Sequence, residues 1–199
     1  MPPGRWVEWF GGAVHSGPAL FRRNYTQDEI PLLVKAGAII PMKGLEAAKQ
    51  IAPERLLLEV VWVAGAAAGA GTTTTTSGEL YEDGGDDLLY QQGAAYYCLT
   101  NLSLAIGAAE TTLAISAGGG GGLATQDTAT HVALGLPARR RFEVRFRGAP
   151  ASAAGWRFSP ASAALGSSWW WEDGVGGRTL VGVTALVDSG SAVSASFSH

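Results

Sequence analysis

The sequence predicts an all-β protein, organised as two consecutive antiparallel β-sandwich units divided near residues 64–77. Three observations predict it. No window carries a sustained apolar stripe at the helical period of about 3.6 residues. Turn-forming residues instead recur at strand spacing, between short bursts of Val, Leu, Thr and aromatic side chains. Several segments also alternate apolar with polar residues, the period-2 pattern of a strand with one buried face.

The first strand falls in "RWVEWF", residues 5–10, with Trp6, Glu8 and Phe10 on one side and Val7 and Trp9 on the other. "GPALFRRNY" follows a Gly-rich turn. In "DEIPLLVKAGAIIPM" two apolar runs, Ile30–Val34 and Ala38–Met42, are broken at Ala36-Gly37. Pro31 and Pro41 place these runs at strand starts or sheet edges, because proline has no ladder donor. "GLEAAKQI" has the composition for one or two helical turns, and "RLLLEVVWV", residues 55–63, reads as a buried strand. The chargeless "AGAAAGAGTTTTTSG", 64–78, reads as a low-complexity connector.

Beyond the acidic "GELYEDGGDDLLYQQG", 78–93, Leu102, Leu104 and Ile106 alternate with small or polar residues. "TTLAISA" answers them with Leu113 and Ile115, so the two runs predict a hairpin through "GAAE". "GGGGGLATQDTAT", 118–130, is read as a loop. "RRRFEVRFR" then turns Phe142, Val144 and Phe146 inward and Arg141, Glu143, Arg145 and Arg147 outward. "SSWWWEDGVGGRTLVGVTALV" is a strand–turn–strand pair, and "SAVSASFSH" a closing strand.

Composition bounds the partners. The 199 residues are 47% hydrophobic and 16% charged, enough for a real core. A net charge of −3 argues against a nucleic-acid surface. No apolar run approaches the roughly 18 residues of a membrane-spanning helix. The lone Cys98 excludes an internal disulfide and a Cys-rich zinc site. The opening "MPPGRWVEWF" lacks the basic and apolar regions of a signal peptide and reads as an entry into a fold already under way. Both asparagines stand in sequons, Asn24-Tyr25-Thr26 and Asn101-Leu102-Ser103. They are candidate N-glycosylation acceptors and, if used, place the chain in the secretory lumen or outside the cell.

The residues supply no catalytic constellation. Glu82-Asp83 and Glu172-Asp173 have the types for a two-carboxylate glycosidase, which needs its acids about 5–9 Å apart. Each pair lies beside Gly in an expected turn, where acids are soluble and favour Asx-type bends. Asp83, Asp86 and Asp87 lack the alternating rhythm of a calcium loop. His15, His131 and His199 are isolated and form no zinc pair. The glycine run lacks a phosphate-loop Lys, and no Ser sits in a nucleophile elbow. No cofactor and no metal is implied. Of Trp169-Trp170-Trp171, at most two rings share a face, so Trp169 and Trp171 are candidates either for core packing or for stacking on a sugar.

The order of motifs is distinctive. "PPGRWVEWFGGAVHSGP", "DEIPLLVKAGAIIPM", "LLLEVVWV" and "GELYEDGGDDLLYQQG" together resemble the C-terminal region of glycoside hydrolase family 31, the α-glucosidases and their relatives. The match is closest over 2–42 and 78–97. Lys35 stands where the family has Arg, Leu33 where an aromatic is common, and Gly84 where a second aspartate is expected. The resemblance implies a proximal β-sandwich over 1–66, truncated at its N-terminus, and a distal β-sandwich over 67–199, with the connector at 64–77. It implies that the catalytic aspartates lie in a (β/α)₈ barrel for which nothing here has the motif, so that catalytic residues are expected to be none. The implied partner is that barrel, with an α-glucan or oligosaccharide as the substrate class of the parent enzyme. A free-standing carbohydrate-binding module is the alternative.

Overall fold

The computed structural model describes residues 1–43, 53–64, 73–85, 88–92, 96–118, 128–164, 166–174 and 177–199. The expected helical turns in 44–51, Asp86 and Asp87, and the loop residues 119–127 lie outside these. The strands, in chain order, are β1 (Gly4–Glu8), β2 (Val14–Gly17), β3 (Leu33–Lys35), β4 (Ile39–Lys43), β5 (Arg55–Val61), β6 (Thr74–Asp83) and β7 (Tyr97–Ile106). They continue as β8 (Glu110–Ala117), β9 (Arg139–Arg147), β10 (Ala154–Ser159), β11 (Ser168–Gly174), β12 (Gly177–Val183), β13 (Val187–Asp188) and β14 (Val193–Ser198). Among the described residues two short α-helices, α1 (Thr128–Ala133) and α2 (Ala161–Ala164), and a 3-10 turn, Leu89–Gln92, interrupt them. The fold is all-β and sandwich-like, and the described residues contain no helical barrel.

Among the described residues three sheets form, with orders β2-β1-β3, β10-β14-β8-β7-β6 and β11-β12-β9-β5-β4, β13 adding to β9. All pairings are antiparallel except β5 with β9. The two larger sheets pack face to face. Leu102, Leu104, Leu113, Ile115 and Phe197 from one meet Leu58, Phe142, Val144, Phe146 and Leu180 from the other in one buried cluster. Each side chain of that size contributes about 1.5–3 kcal/mol by leaving water. The alternation that predicts these faces is borne out in β7, β8 and β9, and the hairpin of β7 and β8 forms as expected.

The parallel pairing has a local cause. Past Arg55 at its start, β5 is apolar on both faces apart from Glu59, the pattern of a strand buried on both sides, and it inserts between β4 and β9. Strands from both sides of residue 66 therefore share one sheet and one hydrophobic cluster. Residues 74–77, read from composition as connector, belong to β6 and pair with 103–106 of β7. Threonine is β-branched, and a run of it fits a pleated, half-exposed edge strand as well as it fits a loop.

The small sheet packs on the back of the six-stranded one. Val7 joins Val61 and Val63, with Trp9, Val34 and Ala36 around them. The break at Ala36-Gly37 lets the chain step from β3 to β4. Gly37 takes a positive φ of 84° there and donates its N–H to the Val61 carbonyl at 2.8 Å.

Candidate functional site

The acidic residues that open the question of chemistry are almost all occupied. Glu82 lies on the inward face of β6, opposite buried Cys98. Arg140 has the parity of Phe142 and Val144 on β9, so its side chain also points inward and is buried. The two meet as a bidentate pair, Arg140 Nη1 to Glu82 Oε2 at 2.7 Å and Nη2 to Oε1 at 3.1 Å. This pair joins the two large sheets. Asp83 makes an Asx-type bend, its Oδ1 accepting the Gly85 N–H at 2.9 Å and its Oδ2 the Tyr81 hydroxyl at 2.9 Å. The expected turn is therefore present at Asp83, but Glu82 is not part of a solvated one.

Glu172 accepts hydrogen bonds from Arg145 and, at 3.0 Å, from Trp170 Nε1. Burial works to raise its pKa. The bonds from Trp170 and Arg145 and the charges of Arg145 and Arg55 outweigh this and hold the carboxyl below its ordinary range. A proton donor at neutral pH needs the opposite displacement. Asp173 is exposed and pairs with Arg178 Nε at 3.1 Å. Glu172 and Asp173 lie within β11, paired with Thr179 and Arg178 of β12, and not in the expected turn. The two acidic pairs line different clefts, Glu82 and Asp83 one of about 420 Å³, Glu172 and Asp173 one of about 220 Å³.

The arginine face of β9 corrects an expectation. Glu143, on the outward face, is buried and not solvent-facing, and Glu59 of the neighbouring β5 is buried beside that face. The parallel register sets Glu59 opposite Arg145 and Val61 opposite Arg147. Glu59 then accepts from Arg147 Nε at 2.8 Å and faces Arg145 Nε at 3.3 Å, while Glu143 holds Arg55 and, at 2.9 Å, Arg145. Alternation along β9 reveals that these residues face away from the core. It does not reveal that β5 brings a carboxylate beside them, or that Trp9 folds over the end of the ladder. The Arg147 guanidinium lies 4.4 Å from the Trp9 ring centroid. The only sequence signal was the single charge inside the apolar run of β5.

Trp169 and Trp171 share a face of β11, with Trp170 on the other, as the alternation requires. Both are half-buried and pack against the main cluster. One face of Trp169 stacks on Phe158, centroids 4.6 Å apart and planes 22° apart. Gly182, its cross-strand partner, lies under the ring so closely that a Cβ would sit 2.5 Å from a ring carbon. Trp171 meets Trp156 edge-on at 6.0 Å and carries the Arg178 guanidinium at 4.5 Å. Of the sequon residues, Asn24 is exposed outside the strands, and Asn101 is half-buried in β7, between β6 and β8.

His15 bonds Glu8 at 3.0 Å, and His199 bonds the Thr111 hydroxyl at 3.1 Å. His131 is buried in α1. Among the described residues no group of three His, Cys, Asp or Glu has metal-binding geometry, and no helix is long and apolar enough to cross a membrane.

The surface feature that stands out is apolar. Phe10, Leu20, Ile30 and Leu32 are 57%, 99%, 69% and 44% exposed, all within the β1–β3 segment. Phe10, Ile30 and Leu32 line a cleft of about 380 Å³. Monomeric surfaces scatter such side chains singly; grouping marks a surface that another surface covers.

These features define a β-sandwich scaffold in which the nominated acid pairs, Glu82-Asp83 and Glu172-Asp173, are committed to ion pairs and a turn, and in which Phe10, Ile30 and Leu32 leave an exposed apolar cleft. Over its whole length the chain is similar in fold to a part of glycoside hydrolase family 31 enzymes. The Flavobacterium johnsoniae family 31 dextranase, solved with glucose, matches 100% of this chain over 24% of its own, at 15% identity and a TM-score of 0.70. The family 31 α-xylosidase of Xanthomonas citri matches 98% of it over 16% of its own length, at 23% identity and TM-score 0.55. The α-1,4-glucan lyase of Gracilariopsis lemaneiformis matches 99% over 20%, at 14% identity and TM-score 0.64. The chain thus spans a quarter or less of the length of these enzymes. No protein-family model matches it, and no curated protein matches it in sequence.

Proposed function

We propose that this chain is the C-terminal β-sandwich region of a family 31, α-glucosidase-like hydrolase, and that it braces a catalytic (β/α)₈ barrel without itself breaking bonds. The single observation that carries the reading is the fold match, which takes in the whole chain while leaving most of each enzyme unmatched. The exposed apolar cleft at Phe10, Ile30 and Leu32 supports it, since burial against a neighbouring domain removes that surface from water. The parent reaction is retaining hydrolysis of a terminal α-linked glucose by two carboxylates of the barrel. Residues 1–66 and 67–199 are proposed to correspond to the proximal and distal parts of that region, although their strands interleave in one sheet.

The test is the complete transcript. An open frame continuing upstream of the Met1 codon into a barrel with a paired-carboxylate site is the expected result. An in-frame stop immediately upstream, together with brisk glucose release from maltose by the purified chain, overturns the reading.

A further inference from the structure

The cleft beside Phe10, Ile30 and Leu32 has a charge imbalance as well as an apolar floor. Three carboxylates, Glu8, Asp28 and Glu29, border it against one guanidinium, that of Arg23. Arg23 is already committed, bonding Glu8 on one side and Glu29 Oε1 at 2.8 Å on the other. Glu29 Oε2 also accepts the Thr26 N–H at 2.9 Å, which closes a tight turn and leaves Asp28 at its tip. Asp28 has no ion-pair partner among the described residues and is exposed. The Thr26 hydrogen bond and its own backbone N–H hold its carboxyl below the ordinary range, against a slight opposing effect of burial, so it stays negative at neutral pH. The rim therefore attracts a cation over a floor that attracts hydrocarbon.

We propose that this cleft is a docking socket for a segment of the catalytic domain that presents an apolar side chain next to an arginine or lysine. The apolar group enters between Phe10, Ile30 and Leu32, and the cation lies against Asp28 and Glu29. The occupant rests on the bracing role proposed above; the chemistry of the socket does not. Charge complementarity sets which surface docks, and the apolar contact supplies most of the affinity.

Benzamidine, a compact aromatic cation, serves as the probe on the isotopically labelled 199-residue chain at low salt, with backbone amide shifts as the readout. Shifts centred on Phe10, Gly11, Ile30 and Leu32 are expected. The apparent affinity should fall about two- to fivefold in Asp28→Asn and at raised salt. Benzyl alcohol, which lacks the charge, should bind correspondingly more weakly, and guanidinium, which lacks the ring, should not shift these residues. Ile30→Ser, at an exposed position, should weaken the probe while leaving the rest of the spectrum in place. Equal binding of benzyl alcohol and benzamidine, or no shift at these residues, overturns the socket while leaving the bracing role intact. A concentration-dependent dimer by sedimentation that Ile30→Ser abolishes assigns the cleft to a second copy of the chain and overturns the proposed occupant. An in-frame stop upstream of Met1 removes the barrel and leaves the benzamidine result standing.

Discussion

Glu82 shows how far a residue's role depends on its partner. In sequence it belongs to an acidic turn; in the fold it is one half of an ion pair between two sheets, 58 residues from Arg140. Truncating one partner strands the other charge in the interior. Glu82→Ala should therefore lower stability by about 3–5 kcal/mol in urea denaturation, whereas replacing Glu82 and Arg140 together by leucine should cost far less. Asp83→Ala, at an exposed bend, should cost no more than about 1 kcal/mol. Glu172 makes a pH prediction. Its folded-state pKa is depressed, so its contribution is present above the unfolded carboxyl value of about 4.3 and is lost as pH falls through the lower folded value. Glu172→Gln should flatten the stability profile in that acidic window and leave its shape near neutral pH unchanged. Unaltered acid-side curvature in the variant would count against the Arg145 and Trp170 contacts.

At the scale of elements, close packing between strands carries the argument. Gly182 is needed because Trp169 lies across it, and the ring is also held by stacking on Phe158. Gly182→Ala should cost about 1–3 kcal/mol through overpacking and should alter tryptophan fluorescence, since the ring must move. A variant with wild-type melting and emission would mean that Trp169 does not occupy this position. The ladder on the outer face of β9 has a similar logic. Arg147 links Glu59 of β5 to the Trp9 ring and carbonyl of the β1–β2 turn, so it ties the small sheet to the large one. Arg147→Met should loosen that attachment, seen as faster proteolysis within residues 9–32, with the main sandwich still protected.

For the whole molecule, the uncovered apolar end sets the behaviour in solution. The isolated chain should bind a hydrophobic dye, and Leu20→Lys with Ile30→Lys should reduce that binding without lowering the melting temperature, because those side chains contact solvent in the folded state. A monodisperse, dye-silent monomer that melts cooperatively would argue that nothing is missing from this surface.

Strand existence and the choice of buried face were legible from the chain itself. Side chains of a strand alternate by local geometry alone, so Phe142, Val144 and Phe146, or Leu102 and Leu104, declare their side without knowledge of any partner. The order of motifs was likewise enough to indicate the family whose fold the chain shares. Partnership was decided elsewhere. Glu59 and Arg147 are 88 residues apart, and only the insertion of β5 beside β9 makes them neighbours. The same insertion draws strands from both sides of residue 66 into one sheet, and the sheet-to-sheet contact turns Glu82 from a turn residue into the half-buried counter-ion of buried Arg140. Alternation is a property of one strand and is written in it; pairing is a property of two, and the chain closes long loops to bring them together.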